Sequence, residues 1–131
     1  MRPLALLLAL LLSLGAARDG RAEYVHTEDF DHAAFAAAQA SGRAIVVAIG
    51  ADWCPVCSRQ GAQLTHLAAD PAYKHILILH VDYDTQRDLA RALKAQEQGT
   101  LIAYRGANEI ARVIGVVDEA GIRAFLNRLK D

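Results

Sequence analysis

Ala44-Ile45-Val46-Val47-Ala48-Ile49-Gly50-Ala51-Asp52-Trp53-Cys54-Pro55-Val56-Cys57 is the stretch that decides the fold. Its first six residues are apolar without interruption and rich in β-branched side chains, the pattern of a short strand covered on both faces. Gly50 to Trp53 supplies the turn out of it. Cys54-Pro55 then opens a helix, because proline suits the first turn, where a missing N–H costs nothing. A buried strand leading through a tight turn into a helix is half of a βαβ unit. It sets both cysteines at the helix N-terminus.

Working outward, the helix continues through Leu64, Leu67 and Ala68 until Asp70-Pro71 stops it. Ile76 to Val81 reads as a second buried strand. Thr85 is the expected cap of a third helix, with Asp88 three residues on and Leu89, Ala92 and Leu93 facing inward. Thr100 to Tyr104 and Ile110 to Ile114 form a predicted hairpin around Gly106-Ala107-Asn108. Asp118 opens the last helix, where Ile122, Phe125, Leu126 and Leu129 recur at helical spacing. Upstream, Asp29 to Ala40 reads as a helix with Phe30, Ala33, Ala34, Ala37 and Ala38 on its inner side, ended by Ser41-Gly42. A short opening strand is expected over 23–27. The order (β)αβαβαββα predicts an α/β fold: one domain over residues 23–131, with a central mixed sheet flanked by helices.

The totals agree with that reading. A chain of 131 residues, 53% hydrophobic and 22% charged, has enough apolar surface for one packed domain. Its net charge of −1, with scattered basic residues, argues against nucleic acid and anionic membranes as partners. Arg2 precedes a charge-free, leucine-rich run from Leu4 to Leu14, and small residues follow at Gly15-Ala16-Ala17 and Gly20-Arg21-Ala22. The run is shorter than the ~20 residues a bilayer span requires. Residues 1–22 are therefore expected to be a signal peptide and the mature chain periplasmic or secreted; an uncleaved membrane anchor is the alternative.

Export to an oxidising compartment permits disulfides, yet there are two cysteines in all, both in one four-residue motif. Closing so short a loop stabilises by only roughly 2 kcal/mol in the chain-entropy model. A structural bridge would join distant segments, so the pair is read as chemical. Cys54 faces unpaired N–H groups and the positive end of the helix dipole, which favour a thiolate. Cys57 lies one turn on, on the same face, placed to attack the first sulfur and release a cross-linked substrate.

Ala51-Asp52-Trp53-Cys54-Pro55-Val56-Cys57, directly after a buried strand, resembles the active site of the thioredoxin superfamily. The run from Ala44 to Arg105 is most similar to the periplasmic C-terminal domain of DsbD-type disulfide reductases and to small exported thioredoxins. The resemblance implies a thioredoxin fold and a thiol:disulfide oxidoreductase that acts on protein thiols and disulfides and is kept reduced by a membrane-embedded donor. It makes Cys54 the exposed nucleophile, Cys57 the resolving thiol and Trp53 the ring that covers them. Pro55 lies between the cysteines, where it affects the redox potential. It also implies that Gln98, Gly99 and Thr100 form the substrate-binding loop. No cofactor beyond the redox-active Cys54–Cys57 disulfide and no resident metal are expected, and the protein is expected to be monomeric.

Three positions depart from the family pattern. Where relatives carry a cis-proline beside the CxxC, this chain has Gly99 after Gln98. A non-proline cis bond costs ~2.5–4 kcal/mol, so this one is expected to be trans. The family's buried aspartate is replaced by Ala48, and its lysine partner by Ile78. Proton transfer is left to water, Asp52 or another group. Two further readings stay open: a metal-handling protein using the thiolates, with His26, His32, His66, His75 or His80 as further ligands, and a binding module without turnover.

Overall fold

The computed structural model describes residues 30–130. The proposed signal peptide, the opening strand over 23–27, His26 and the start of the first helix at Asp29 lie outside the described residues. The element order is α1 (His32–Ala40), β1 (Ala44–Gly50), α2 (Pro55–Ala68), a 3₁₀ turn (Pro71–Tyr73), β2 (Leu77–Asp82), α3 (Arg87–Ala92), β3 (Thr100–Arg105), β4 (Asn108–Ile114) and α4 (Glu119–Asn127). The strands form one mixed sheet in the order β2-β1-β3-β4. β1 runs parallel to β2 and antiparallel to β3, and β3 and β4 form the expected hairpin.

Strand alternation divides the core into two layers. Val46, Ile78, Leu101 and Ala103 pack against Leu64 and Leu67 of α2 and Ile122, Phe125 and Leu126 of α4. On the opposite face Ile45, Val47, Ile49, Leu79, Val81 and Ile102 pack with Phe30, Phe35 and Ala38 around α1 and with Ala90 of α3. Helices therefore cover both faces of β1. This is the α/β arrangement expected of a thioredoxin fold, and among the described residues no helix is long and apolar enough to cross a membrane.

Four expectations need correction. The buried side of α1 is Ala34, Phe35 and Ala38, while Ala33 and Ala37 are exposed. Phe30 is buried but precedes the cap at Asp31, so counting the helical face from it rotates the face away from the sheet. In α3, Ala90 is buried and Ala92 exposed. Thr85 does not cap this helix. Its N–H and that of Asp84 donate to the Asp82 carboxylate, and the cap position falls to Gln86, whose side chain instead accepts from Asp82 N–H. An aspartate turn thus closes ahead of the helix, and α3 starts at Arg87 without a side-chain cap. The strand expected to be buried over Ile76–Val81 leaves Leu77 and His80 partly exposed, and β2 runs on to a half-buried Asp82.

The face of α1 can be checked directly. Ala37→Gln should move stability by no more than about 0.5 kcal/mol. Ala38→Gln, which forces an amide among Phe30, Phe35 and the sheet, should cost about 1–3 kcal/mol. Urea midpoints at unchanged slope read both; equal costs would restore the other register.

Candidate active site

The end of β1 and the start of α2 build the site. Cys54 N–H donates to Ala51 O at 3.1 Å, closing the turn after the strand. Cys54 takes the cap position of α2 in extended backbone, and its sulfur accepts from Cys57 N–H at 3.2 Å. Pro55 follows as the first helical residue, exposed. Cys54 and Cys57 are joined as a disulfide with Cα atoms 5.3 Å apart, inside the usual range for such a bond. One residue's geometry thus aims a backbone donor at the sulfur that must carry negative charge once the bond is reduced.

Accessibility differs from what the resemblance implied. Cys54 is 5% exposed, and Cys57 is the partly exposed member. The cap conformation turns the Cys54 side chain back onto the helix end rather than outward. Trp53 is 63% exposed, and its indole N–H donates to Asp84 Oδ2 at 2.7 Å. It ties the turn after β1 to the loop after β2. Asp52, its neighbour in sequence, is exposed, and so is Arg59.

The loop before β3 closes the other side. Gly99 has φ +79°, and among the described residues no peptide bond is cis. Its N–H donates to Ile49 O at 2.8 Å, and its carbonyl accepts from Gly115 N–H at 2.9 Å and Gln60 Nε2 at 3.0 Å. Gly99 and Thr100 are buried, so of the three residues assigned to substrate, Gln98 is the one with exposed surface. A Cβ on Gly99 would stand 3.2 Å from Val56 Cγ1. The glycine therefore serves a left-handed backbone pressed against the residue between the cysteines.

Gln60, Asp84 and Arg112 escaped the sequence reading. Gln60 is 3% exposed, and its amide anchors the Gly99 loop to α2. Arg112 of β4 donates to the carbonyls of Leu93 and Lys94, pinning the end of α3 just ahead of that loop, and pairs with Glu109. A buried glutamine three residues after a CxxC carries a recognisable signal, because an unpaired amide there would be costly. The other two depend on register. The resolved shift among buried groups lies elsewhere: burial, then the Glu109 carboxylate, raises the Tyr104 hydroxyl above its usual range. Among the described residues no group of three histidine, cysteine or acidic side chains is placed to hold a metal ion.

A redox-capable dithiol at a helix N-terminus, beside a mixed sheet in the order β2-β1-β3-β4, defines a thioredoxin-fold protein. The family model for thioredoxin matches residues 23–128, and the chain belongs to the thioredoxin family. It is similar to Trxlp from Edwardsiella tarda EIB202, whose crystal structure superposes with a TM-score of 0.72 at 41% identity, covering 74% of this chain and 94% of that one. It is 29% identical over 84 residues to thioredoxin of Chlamydia pneumoniae, covering 64% of this chain and 80% of that protein. Mitochondrial thioredoxin of Mus musculus is 29% identical over 85 residues, 65% of this chain; the chain spans 51% of that relative's length.

Restoring the family's proline should not repair the loop. Gly99→Pro combines the wrong φ with loss of the bond to Ile49, so stability should fall by more than about 1 kcal/mol. Chemical denaturation measures it. An unchanged midpoint would show that the loop rebuilds freely around the ring.

Proposed function

We propose that this chain is an exported thiol:disulfide oxidoreductase that reduces disulfides in other proteins. The observation that carries the chemistry is the Cys54 sulfur at the head of α2, accepting from Cys57 N–H within attacking distance of its partner thiol. In the reduced state Cys54 attacks a substrate sulfur, forming a mixed disulfide and releasing one substrate thiol. Cys57 then attacks Cys54, the Cys54–Cys57 bond forms, and the second substrate thiol leaves with the electron pair. The exposed Trp53 and Ile114 and the edge of Gln98 offer the surface on which a polypeptide would rest.

Export is supported by the apolar run from Leu4 to Leu14 with its small-residue boundary near Ala22. The resemblance to DsbD-type domains supports a membrane-embedded donor as the source of electrons. A reductase also needs a low potential, nearer the thioredoxin value of about −270 mV than the oxidase value of about −120 mV.

Two measurements test this on the chain lacking residues 1–22. Equilibration with glutathione buffers should give a single two-electron couple toward the reducing end. Insulin reduction should be abolished by Cys54→Ser, and Cys57→Ser should trap a mixed disulfide visible by mass. A pair that never cycles, or one isolated with a stoichiometric metal, would sink the oxidoreductase reading in favour of a binding or metal-handling protein.

A further inference from the structure

The thiol-resolving step needs a place for the Cys57 proton, and the family's usual acceptor position holds Ala48. The parallel register pairs Ala48 with His80 on β2. By strand alternation His80 shares the face of Ile78, which packs against α2. It stands further along the strand, toward the end where α2 begins. The decisive geometry is at Gly50, the last residue of β1. A Cβ there would lie 2.9 Å from His80 Nε2, 3.3 Å from Cys57 Cβ and 3.6 Å from Cys57 Sγ. The imidazole nitrogen and the thiol sulfur thus flank one small space, too tight for a methyl, that glycine leaves open. Both residues are partly exposed, so a single water can complete the path between them.

We propose that His80 accepts the Cys57 proton during resolution of the mixed disulfide, in place of the family's carboxylate. The assignment rests on the oxidoreductase reading above. With its proton on Nδ1, the ring takes the Cys57 proton at Nε2, directly or through water. The Cys57 sulfur attacks Cys54, the Cys54–Cys57 bond forms, and the bond from Cys54 to the substrate sulfur breaks. The substrate leaves as a thiolate, which is protonated by the imidazolium or by water. The substrate gains two electrons and the cysteine pair loses them. Imidazole suits the task, since its ordinary pKa of about 6.5 leaves it able to accept at neutral pH. Of the described titratable and charged groups, Cys57 faces His80 from α2, and Asp82 follows two residues along β2 on the same face. The Asp82 carboxylate accepts from the N–H groups of Asp84 and Thr85. β1 contributes Ala48 and Gly50, which do not titrate.

Stopped-flow reaction of the reduced protein with the aromatic disulfide DTNB separates the steps. The first released thiol reports attack by Cys54 and scales with reagent; the second reports resolution by Cys57 and does not. His80→Asn should leave the first phase unchanged and slow the second about tenfold at pH 7, where an unassisted thiol is only a few per cent ionised. The deficit should vanish by about pH 9, where the thiol ionises unaided. His80→Gln, of similar bulk to imidazole, should behave alike, and thermal melting confirms that each variant is folded. Equal second phases at pH 7, or a loss that persists undiminished at pH 9, would overturn the His80 assignment alone. Absence of any second phase in the unmodified protein would overturn the oxidoreductase reading as well.

Discussion

β1 is buried on both faces except at the half-buried Ala48, and the rest of the structure follows from covering it. A strand buried on both sides must satisfy its backbone through neighbours and its side chains through two separate layers. β2 and β3 supply the hydrogen bonds, while α1 and α3 on one face and α2 and α4 on the other supply the packing. The same burial fixes where chemistry can occur. At the end of the strand the Ile49 carbonyl accepts from Gly99 N–H, and the Gly50 carbonyl accepts from Tyr83 N–H. The loops that frame the cysteines are therefore extensions of the sheet's own hydrogen bonding, and the site inherits the rigidity of the core.

How much of this was legible depends on whether the signal is local. The strand over Ala44–Gly50 and the helix from Pro55 were readable because an unbroken β-branched run and an N-terminal proline each act within a few residues. Asp118 was readable as a cap for the same reason; its side chain accepts from Gly121 N–H. The alanine-rich α1 was harder. With little contrast in hydrophobicity around the helix, the face was set by Phe30, which lies before the cap and does not share the helix's periodicity. Thr85 is no cap because it belongs to the turn that Asp82 closes, where its own N–H donates to the Asp82 carboxylate and the helix begins beyond it at Arg87.

The site divides along the same line. Cys54, Cys57 and Pro55 declare themselves through four consecutive residues. Gln98, Gly99 and Thr100 entered through a resemblance, and Gly99 has a physical role that its aligned position does not suggest. Its positive φ and its two backbone–backbone hydrogen bonds make the glycine loop a different construction from a proline loop, closed by the Gln60 amide. His80 is presented by the sequence as one of five candidate metal ligands, and its place beside Cys57 is not legible in one dimension. It lies 23 positions after Cys57 in the numbering, and only the β1–β2 register brings the two to the same point.

Two positions without side chains explain why α2 can sit so close to the sheet. Val56 abuts the space where a Gly99 Cβ would be, at 3.2 Å, and Cys57 abuts the corresponding space at Gly50, at 3.3 Å. The first turn of α2 is therefore seated on bare backbone from two directions. A side chain at either glycine would lift that turn, and with it the donor that Cys57 N–H aims at the Cys54 sulfur. Cys54 burial, the glycine at position 99 and the nearness of His80 to the second thiol then have one common origin. Each is a consequence of docking a helix N-terminus onto the end of a doubly covered strand, where space is allotted by what the backbone lacks.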